Sequence, residues 1–494
     1  MSQLTRRTFL KGAAAAAAAY SLPAKTYAAA NGANSQLRVA VVGFNGRGQS
    51  HISGYSGLSN MGVRITALCD VDSKVLEKGV GQLKNKGVEV EPFSDVRKLL
   101  ENKDIDMVSF ATPNHWHSLG AIWALQAGKD VYVEKPVSHN VWEGRQLVNA
   151  ATKSGKIVQM GVQSRSAYGI QKAVEWAAAG NLGKLIYSRG LCYKRRPSIG
   201  KADAPLEFPP EIDKDLWFGP AQIHPIMRKK LHYDWHWQWD TGNGDLGNQG
   251  IHQMDIARRF IGEPTVAPGV FSIGGRLGYI DDGETANTQI IFQDYEKAPL
   301  IFEVRGLPAS SDSKEMDKYR GASIGVVVQY ENGHIVVPNY NDAYAYDKDG
   351  QEIQKFTAPK KGEPGHDEVN EDHFKNFVEA VVSRDHNHLN GKILDGHLSS
   401  AMCHTGNISY RLGQKKNPDE LREAVKGNKE AMDSLQRMVA HLTANQVDVN
   451  VDKLTLGEFL KMDVQTERFI GHPEADKLLT RDYRAPFVVP EIKA

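Results

Sequence analysis

The sequence predicts an α/β fold in two parts, a parallel sheet wound by helices followed by an α+β domain with a large, mostly antiparallel open sheet. Short apolar strands alternate with helix-length segments from Gln36 to about Gln163. β-branched and aromatic runs broken by hairpin turns dominate thereafter. At 494 residues the chain is also too long for one compact core.

The elements follow in order. Gln36–Val42 reads as a strand that ends at Gly43, and a helix follows from about His51. Arg64–Cys69, Met107–Ala111, Asp130–Glu134 and Ile157–Met160 are further strands, with helical segments at His115–Ala127 and Asn140–Ser154. In the second part Leu185–Leu191, Thr288–Phe292, Leu300–Val304 and Ile324–Tyr330 are strand-like. Asn332-Gly333 and Asp349-Gly350 mark hairpin turns, and Asp372–Val382 and Leu398–Leu412 are inserted helices. From about Leu421 a charged helix leads into a proline-containing tail expected to wrap back over the body. The expected division is 1–30, 37–163, 164–420 and 421–494.

The first of these segments is a targeting signal. Thr5-Arg6-Arg7-Thr8-Phe9-Leu10-Lys11 precedes an alanine run and an Ala-x-Ala stretch at residues 28–30. The paired arginines match a twin-arginine export signal, which places the mature protein in the periplasm or outside the cell. Removing those residues leaves 56 basic against 59 acidic side chains, a balance that argues against nucleic acid as a partner. No other stretch approaches the ~18 apolar residues of a membrane span. Three cysteines, Cys69, Cys192 and Cys403, make no disulfide framework and are expected to be packing residues.

The turn Gly43-Phe44-Asn45-Gly46-Arg47-Gly48 joins the first strand to a helix, the setting in which backbone amides cradle a pyrophosphate. Asn45 stands where the usual second glycine would be; Asn tolerates left-handed backbone. Asp70 ends the second strand, where a carboxylate binds the ribose hydroxyls of NAD and repels the 2′-phosphate of NADP. These features predict a Rossmann dinucleotide-binding domain for NAD in preference to NADP.

Ala111-Thr112-Pro113-Asn114-His115-Trp116-His117 leads through a helix into Gly128-Lys129-Asp130-Val131-Tyr132-Val133-Glu134-Lys135-Pro136. This arrangement resembles the Gfo/Idh/MocA family of glucose–fructose oxidoreductase and inositol dehydrogenase, strongly over Leu37 to Gln163 and more loosely beyond. The resemblance implies that Lys135 lies beside the nicotinamide and bonds the reacting hydroxyl. It also implies that Thr112, Pro113, Asn114, His117, Glu134 and Gln163 belong to the cofactor site. His252 matches the family's proton acceptor, and Asn248 stands in place of its acid. On a helix these two share one face, so Asn248 can hold a hydroxyl without taking its proton. The family further implies a homo-oligomer built through the open sheet face.

The run His232–Asp240 offers rings and polar groups suited to a sugar, with Trp235, His236, Trp237, Trp239 and Asp240 as candidate substrate contacts. No H-E-x-x-H spacing occurs, and no metal is assigned. The functional expectation is an exported NAD(P)-dependent oxidoreductase acting on a hydroxyl of a sugar or cyclitol, with a tightly held cofactor. The alternatives are redox-neutral glycoside cleavage or epimerisation through a keto-sugar, and a non-catalytic sugar-binding relative.

Overall fold

The computed structural model describes residues 36–359 and 369–493. The export signal expected at residues 1–30 lies outside them.

The first sheet contains six parallel strands in the order β3-β2-β1-β4-β5-β6: β1 (Leu37–Val42), β2 (Val63–Cys69), β3 (Glu91–Phe93), β4 (Met107–Phe110), β5 (Asp130–Glu134) and β6 (Val158–Gly161). Helices α1 (Gly48–Gly57), α2 (Ser73–Lys84), α3 (Val96–Glu101), α4 (Asn114–Gln126) and α5 (Val141–Ser154) provide the crossovers. Helices cover both faces of this sheet, which explains the uninterrupted apolar run of β1. Val39 and Val41 enter one core with Tyr55 and Leu68, whereas Ala40 and Val42 enter another with Leu119 and Ile122. Side-chain caps fix the helix starts. Asp72 accepts the backbone N–H groups of Lys74 and Val75, and Asn140 accepts that of Glu143. The short edge strand β3 was not evident in the sequence.

After α6 (Tyr168–Ala178) comes β7 (Leu185–Tyr193), the first strand of a twelve-stranded sheet. A long excursion follows, with α7 (Lys214–Phe218), α8 (Gly244–Asn248) and α9 (Gly250–Ile261). The sheet then continues through β8 (Gly269–Gly275), β9 (Thr288–Gln293), β10 (Leu300–Arg305), β11 (Ile324–Tyr330), β12 (Gly333–Val337), β13 (Ala343–Asp347) and β14 (Glu352–Phe356). Its order is β14-β13-β12-β11-β7-β10-β9-β8-β16-β15, with β15 (Gln414–Lys416) and β16 (Leu454–Leu456) from later in the chain. Antiparallel pairing dominates, and β7 with β10 is parallel. β17 (Leu460–Asp463) joins β8 and pairs with β18 (Arg468–Phe469).

Both faces of this sheet also carry helices. On one, α9 packs with α11 (Ile393–Leu412), and Phe302 and Ile291 meet Met254 and Met402, whereas α10 (Val369–Ser383) covers the first sheet, with Phe374 and Phe377 in the core of Val39 and Val41. On the other, α12 (Pro418–Val425) and α13 (Lys429–Ala444) bury Ile290, Phe292 and Ile301 under Leu435, Met438 and Leu442. The chain's own C-terminal helices thus occupy part of the sheet face from which an oligomer was expected to form. Past α14 (Pro473–Lys477) the tail crosses the first domain. Phe487, Val489 and Ile492 enter its core, and Ile492 N–H donates to Gln146 Oε1 at 2.6 Å. Among the described residues no helix is long and apolar enough to cross a membrane, and all three cysteines are buried and free.

Candidate functional site

The strand order reverses between β1 and β4, and a cavity of about 1090 Å³ opens at the C-terminal ends of these strands. This switch point is where open α/β sheets bind ligands. Of the expected cofactor-side residues, all but Gly48 line it. Gly48 instead packs inward, and a Cβ there would stand 2.2 Å from the Gly43 carbonyl oxygen. Gly43 has φ +76° and lies so close to Thr112 that a side chain has no room. Gly46 differs, because a Cβ there would meet nothing within 4 Å. The turn therefore presents open backbone to the cavity while its flanking glycines close it tightly against the sheet.

Asp70 lies on the same wall. Its Oδ2 accepts the Phe44 N–H at 3.0 Å and its Oδ1 the Asp72 N–H at 3.1 Å. Burial pushes its pKa up, and these backbone donors oppose the shift. Each carboxylate oxygen retains a lone pair for a further donor. An open glycine turn at a helix start, with an acid at the end of the next strand, fits a dinucleotide.

Glu134 organises the floor. Its Oε1 accepts from Arg47 Nε at 2.8 Å and Gln163 Nε2 at 3.2 Å, with His51 Nε2 at 3.1 Å. Burial alone would push this carboxyl up, but Arg47 and His51 hold it well below the usual carboxylate range. His117 joins the two sequence motifs, its ring nitrogens 2.8 Å from the Thr112 carbonyl oxygen and 2.6 Å from that of Pro136. The Trp116 indole donates to the Leu216 carbonyl at 3.0 Å and holds the excursion loop against α4.

Lys135 follows β5 directly, and its Nζ donates to the backbone carbonyl of Asn248 at 2.7 Å. Burial lowers its pKa to about 8, although Glu134 opposes this. Asn248 and His252, either side of a slight break between α8 and α9, both line the cavity. The His252 ring lies 5.1 Å from that of Tyr340, and its buried Nδ1 has no hydrogen-bond partner among the described residues. Burial, reinforced by the Lys135 charge, lowers its pKa to about 3 and keeps the imidazole neutral. One turn along α9, Asp255 takes a two-pronged bond from Arg165 at 2.7 and 2.8 Å. Arg165 thus anchors the His252 helix and is spent on that pair and on Asp395 at 2.9 Å.

The aromatic run does not act as one surface. Trp235 and His236 line the cavity, stacked at 3.6 Å in the turn Asp234–Trp237. Trp237 is buried in the interior, with the Arg196 guanidinium 5.2 Å from its ring centroid. The chain then turns at Gln238, whose carbonyl accepts the Gly242 N–H at 2.8 Å, and Trp239 and Asp240 within that turn line a separate cavity instead. Sequence reading missed Tyr233, whose hydroxyl accepts from Arg196 Nη1 at 2.7 Å, and Tyr340 and Asn341 from the β12–β13 connection. Distant loops supply these residues, and only the tyrosine of the aromatic run carried any local signal. His232 and His236 both line the cavity four residues apart, yet no group of three metal-ligating side chains occurs among the described residues.

Comparison with known proteins accords with this geometry. Residues 37–162 match the oxidoreductase family model for the NAD-binding Rossmann fold, and residues 170–297 match its C-terminal alpha/beta domain. Residues 3–23 match the twin-arginine translocation signal sequence, which indicates export by that route. The chain is 34% identical over 129 residues to a glycosyl hydrolase family 109 protein 1 of Shewanella sp. strain MR-4, covering 25% of this chain and 28% of the relative. A glycosyl hydrolase family 109 protein of Shewanella baltica strain OS155 is 31% identical over 183 residues, covering 32% and 39%. The matches thus span well under half the length of these curated relatives.

Two solved structures share the fold. The WlbA dehydrogenase from Bordetella pertussis, in complex with NADH and UDP-GlcNAcA, is 16% identical with a TM-score of 0.54, over 74% of this chain and 94% of that one. Levoglucosan dehydrogenase, in complex with NADH and levoglucosan, is 17% identical with a TM-score of 0.56, over 75% and 95%. With both of its domain models matched in order along the chain, the protein belongs to the Gfo/Idh/MocA oxidoreductase family.

Proposed function

We propose that this exported protein holds NAD, in preference to NADP, and oxidises a hydroxyl of a sugar or cyclitol. The observation that carries the reading is the meeting of Lys135 and His252 in one cavity with the open Gly46 turn and Asp70. The Gly43–Arg47 backbone would hold the pyrophosphate and Asp70 the ribose hydroxyls, with Thr112, Pro113 and Asn114 on the adjoining wall. Bound NAD supplies the hydride acceptor.

The chain's own residues manage the proton. Below about pH 8 the Lys135 ammonium is charged, so it can bond the reacting oxygen and stabilise the developing alkoxide. His252 is neutral, and its Nδ1 has no partner among the described residues, so it is the group left free to take the hydroxyl proton once substrate is bound beside it. Asn248 orients a hydroxyl from the same wall. Trp235 and His236 present a stacked pair of rings to a sugar face.

Export supports a cofactor carried out with the folded protein and regenerated on each cycle, with the periplasm as the working compartment. A second reading, redox-neutral glycoside cleavage, is favoured by the family 109 relatives. In it the same oxidation acidifies the neighbouring C–H, the glycosidic substituent leaves as that proton is lost, water adds across the resulting double bond, and the keto group takes its hydride back. The test is to give purified holoenzyme a panel of free sugars and nitrophenyl glycosides. Accumulating reduced cofactor or keto-sugar supports net oxidation; release of nitrophenol without either supports cleavage; neither product from any substrate would sink both.

A further inference from the structure

The second cavity has a volume of about 450 Å³ and lies between α11 and the segment 477–482. Asn243 belongs to the wall that separates it from the first cavity. Its Oδ1 accepts from Asn114 Nδ2 at 2.9 Å, and its Nδ2 donates to the His139 carbonyl at 2.9 Å. The pocket thus stands apart from the proposed redox site, and its occupant does not depend on that reading.

Its charge is the informative property. The Arg411 guanidinium lies over the Trp239 ring, 5.1 Å from the centroid, and neither Arg411 nor Arg481 has a carboxylate partner within ion-pair distance among the described residues. Arg481 spends Nη1 on the Asp240 backbone carbonyl at 2.9 Å, while its buried Nε has no partner among the described residues. The nearby acids are engaged elsewhere. Asp240 Oδ2 faces His224 Nδ1 at 3.2 Å, and Glu284 Oε2 accepts the Trp239 N–H at 2.7 Å. His404, only 3% exposed, lines the same cavity with an Nδ1 that lacks a partner among the described residues. Asp240 and Asp482 also line the cavity, but neither comes within ion-pair distance of Arg411 or Arg481 among the described residues, and a planar guanidinium steadied on an indole is suited to a two-pronged oxyanion.

We propose that this cavity is a second ligand site that binds a carbohydrate acid, with its carboxylate at Arg411 and Arg481. Asn407 and Asp240 on the same wall supply partners for ring hydroxyls, and the volume falls within the ~300–1,000 Å³ of small-molecule sites. Phosphate shares the oxyanion chemistry, so the experiment must separate the two.

The experiment is calorimetric titration of the full mature protein, saturated with NAD, using glucuronate, glucose and inorganic phosphate. Glucuronate should bind, with glucose and phosphate each weaker by about tenfold or more. Arg411→Ala and Trp239→Ala should each weaken glucuronate by about tenfold, and Trp235→Ala, in the other cavity, should leave it unchanged. Arg411→Lys, which keeps the charge at an exposed position and loses the fork, should fall between and guards against a folding artefact. The proposal is overturned by any of three results: no heat with glucuronate, binding lost in Trp235→Ala but kept in Arg411→Ala, or phosphate binding as tightly as glucuronate.

Discussion

Two buried glutamates do opposite jobs with the same chemistry. Glu134, 3% exposed, and Glu303, 1% exposed, are each ringed by cationic donors that hold the carboxylate ionised against the cost of burial. Glu303 is bonded by Arg189, by Arg437 at 2.5 and 2.8 Å and by the Tyr193 hydroxyl at 2.5 Å. It sits on β10 facing α13 and lines neither of the two cavities described, whereas the Glu134 partners Arg47 and Gln163 face the large cavity. A shifted ionisation therefore identifies a functional site only when the groups that cause it also reach a ligand. Glu303 fastens α13 to the sheet; Glu134 fastens a wall of the large cavity.

The largest expected effect lies on the cavity side. Lys135→Ala should lower turnover by about 10²–10⁴-fold while the nucleotide remains bound; near-normal turnover would remove Lys135 from the chemistry. On the sealed side, Glu303→Ala strands two arginines and should cost about 3–5 kcal/mol, with turnover per folded molecule unchanged. Denaturant unfolding checks the first part, and a loss below about 1 kcal/mol would reduce the cluster to a surface-like ion pair.

The two regions should also respond differently to pH. Lys135 has its pKa lowered to about 8, so the rate should fall as the pH rises through that value and its cation is lost. A rate profile that keeps climbing there would assign Lys135 the role of a neutral base instead. Glu467, which joins the C-terminal segment to α5 and α11 through Arg145 and His397, has its pKa held down to about 2 against burial. Its folded pKa lies below the unfolded one, so its stabilisation is complete above the ordinary carboxylate range near ~4.3 and disappears as the pH falls toward 2. Glu467→Gln should flatten that part of the acid-stability curve. The smallest effect belongs to Asp70→Ala, which should weaken NAD and narrow its preference over NADP by about tenfold; an unchanged ratio would mean that the ribose is read elsewhere.

The same contrast explains what the sequence made legible. The strands of the first sheet and the residues around Gly43, Asp70, Asn114 and Lys135 were readable because a dinucleotide wall is built from consecutive residues at strand ends. His252 could be located because its helix carries a motif, but its partner Tyr340 enters from a loop far along the chain, where neither spacing nor composition marks it. Trp235 and Trp239 looked equivalent in one aromatic run, and the turn that starts at Gln238 sends them to different cavities. The burial of both faces of the large sheet escaped notice for a similar reason. The runs Thr288–Gln293 and Leu300–Arg305 read as strands, but only the packing of α13 shows why Ile290 and Ile301 are apolar on the outer side.

The most direct test of the account is to purify the protein from the periplasm, denature it, and quantify the released nucleotides by mass spectrometry. The account predicts close to one NAD(H) per chain with little NADP(H), because the folded protein carries its cofactor through export. Empty protein that binds added NAD only weakly would contradict a resident cofactor and, with it, the proposed cycle.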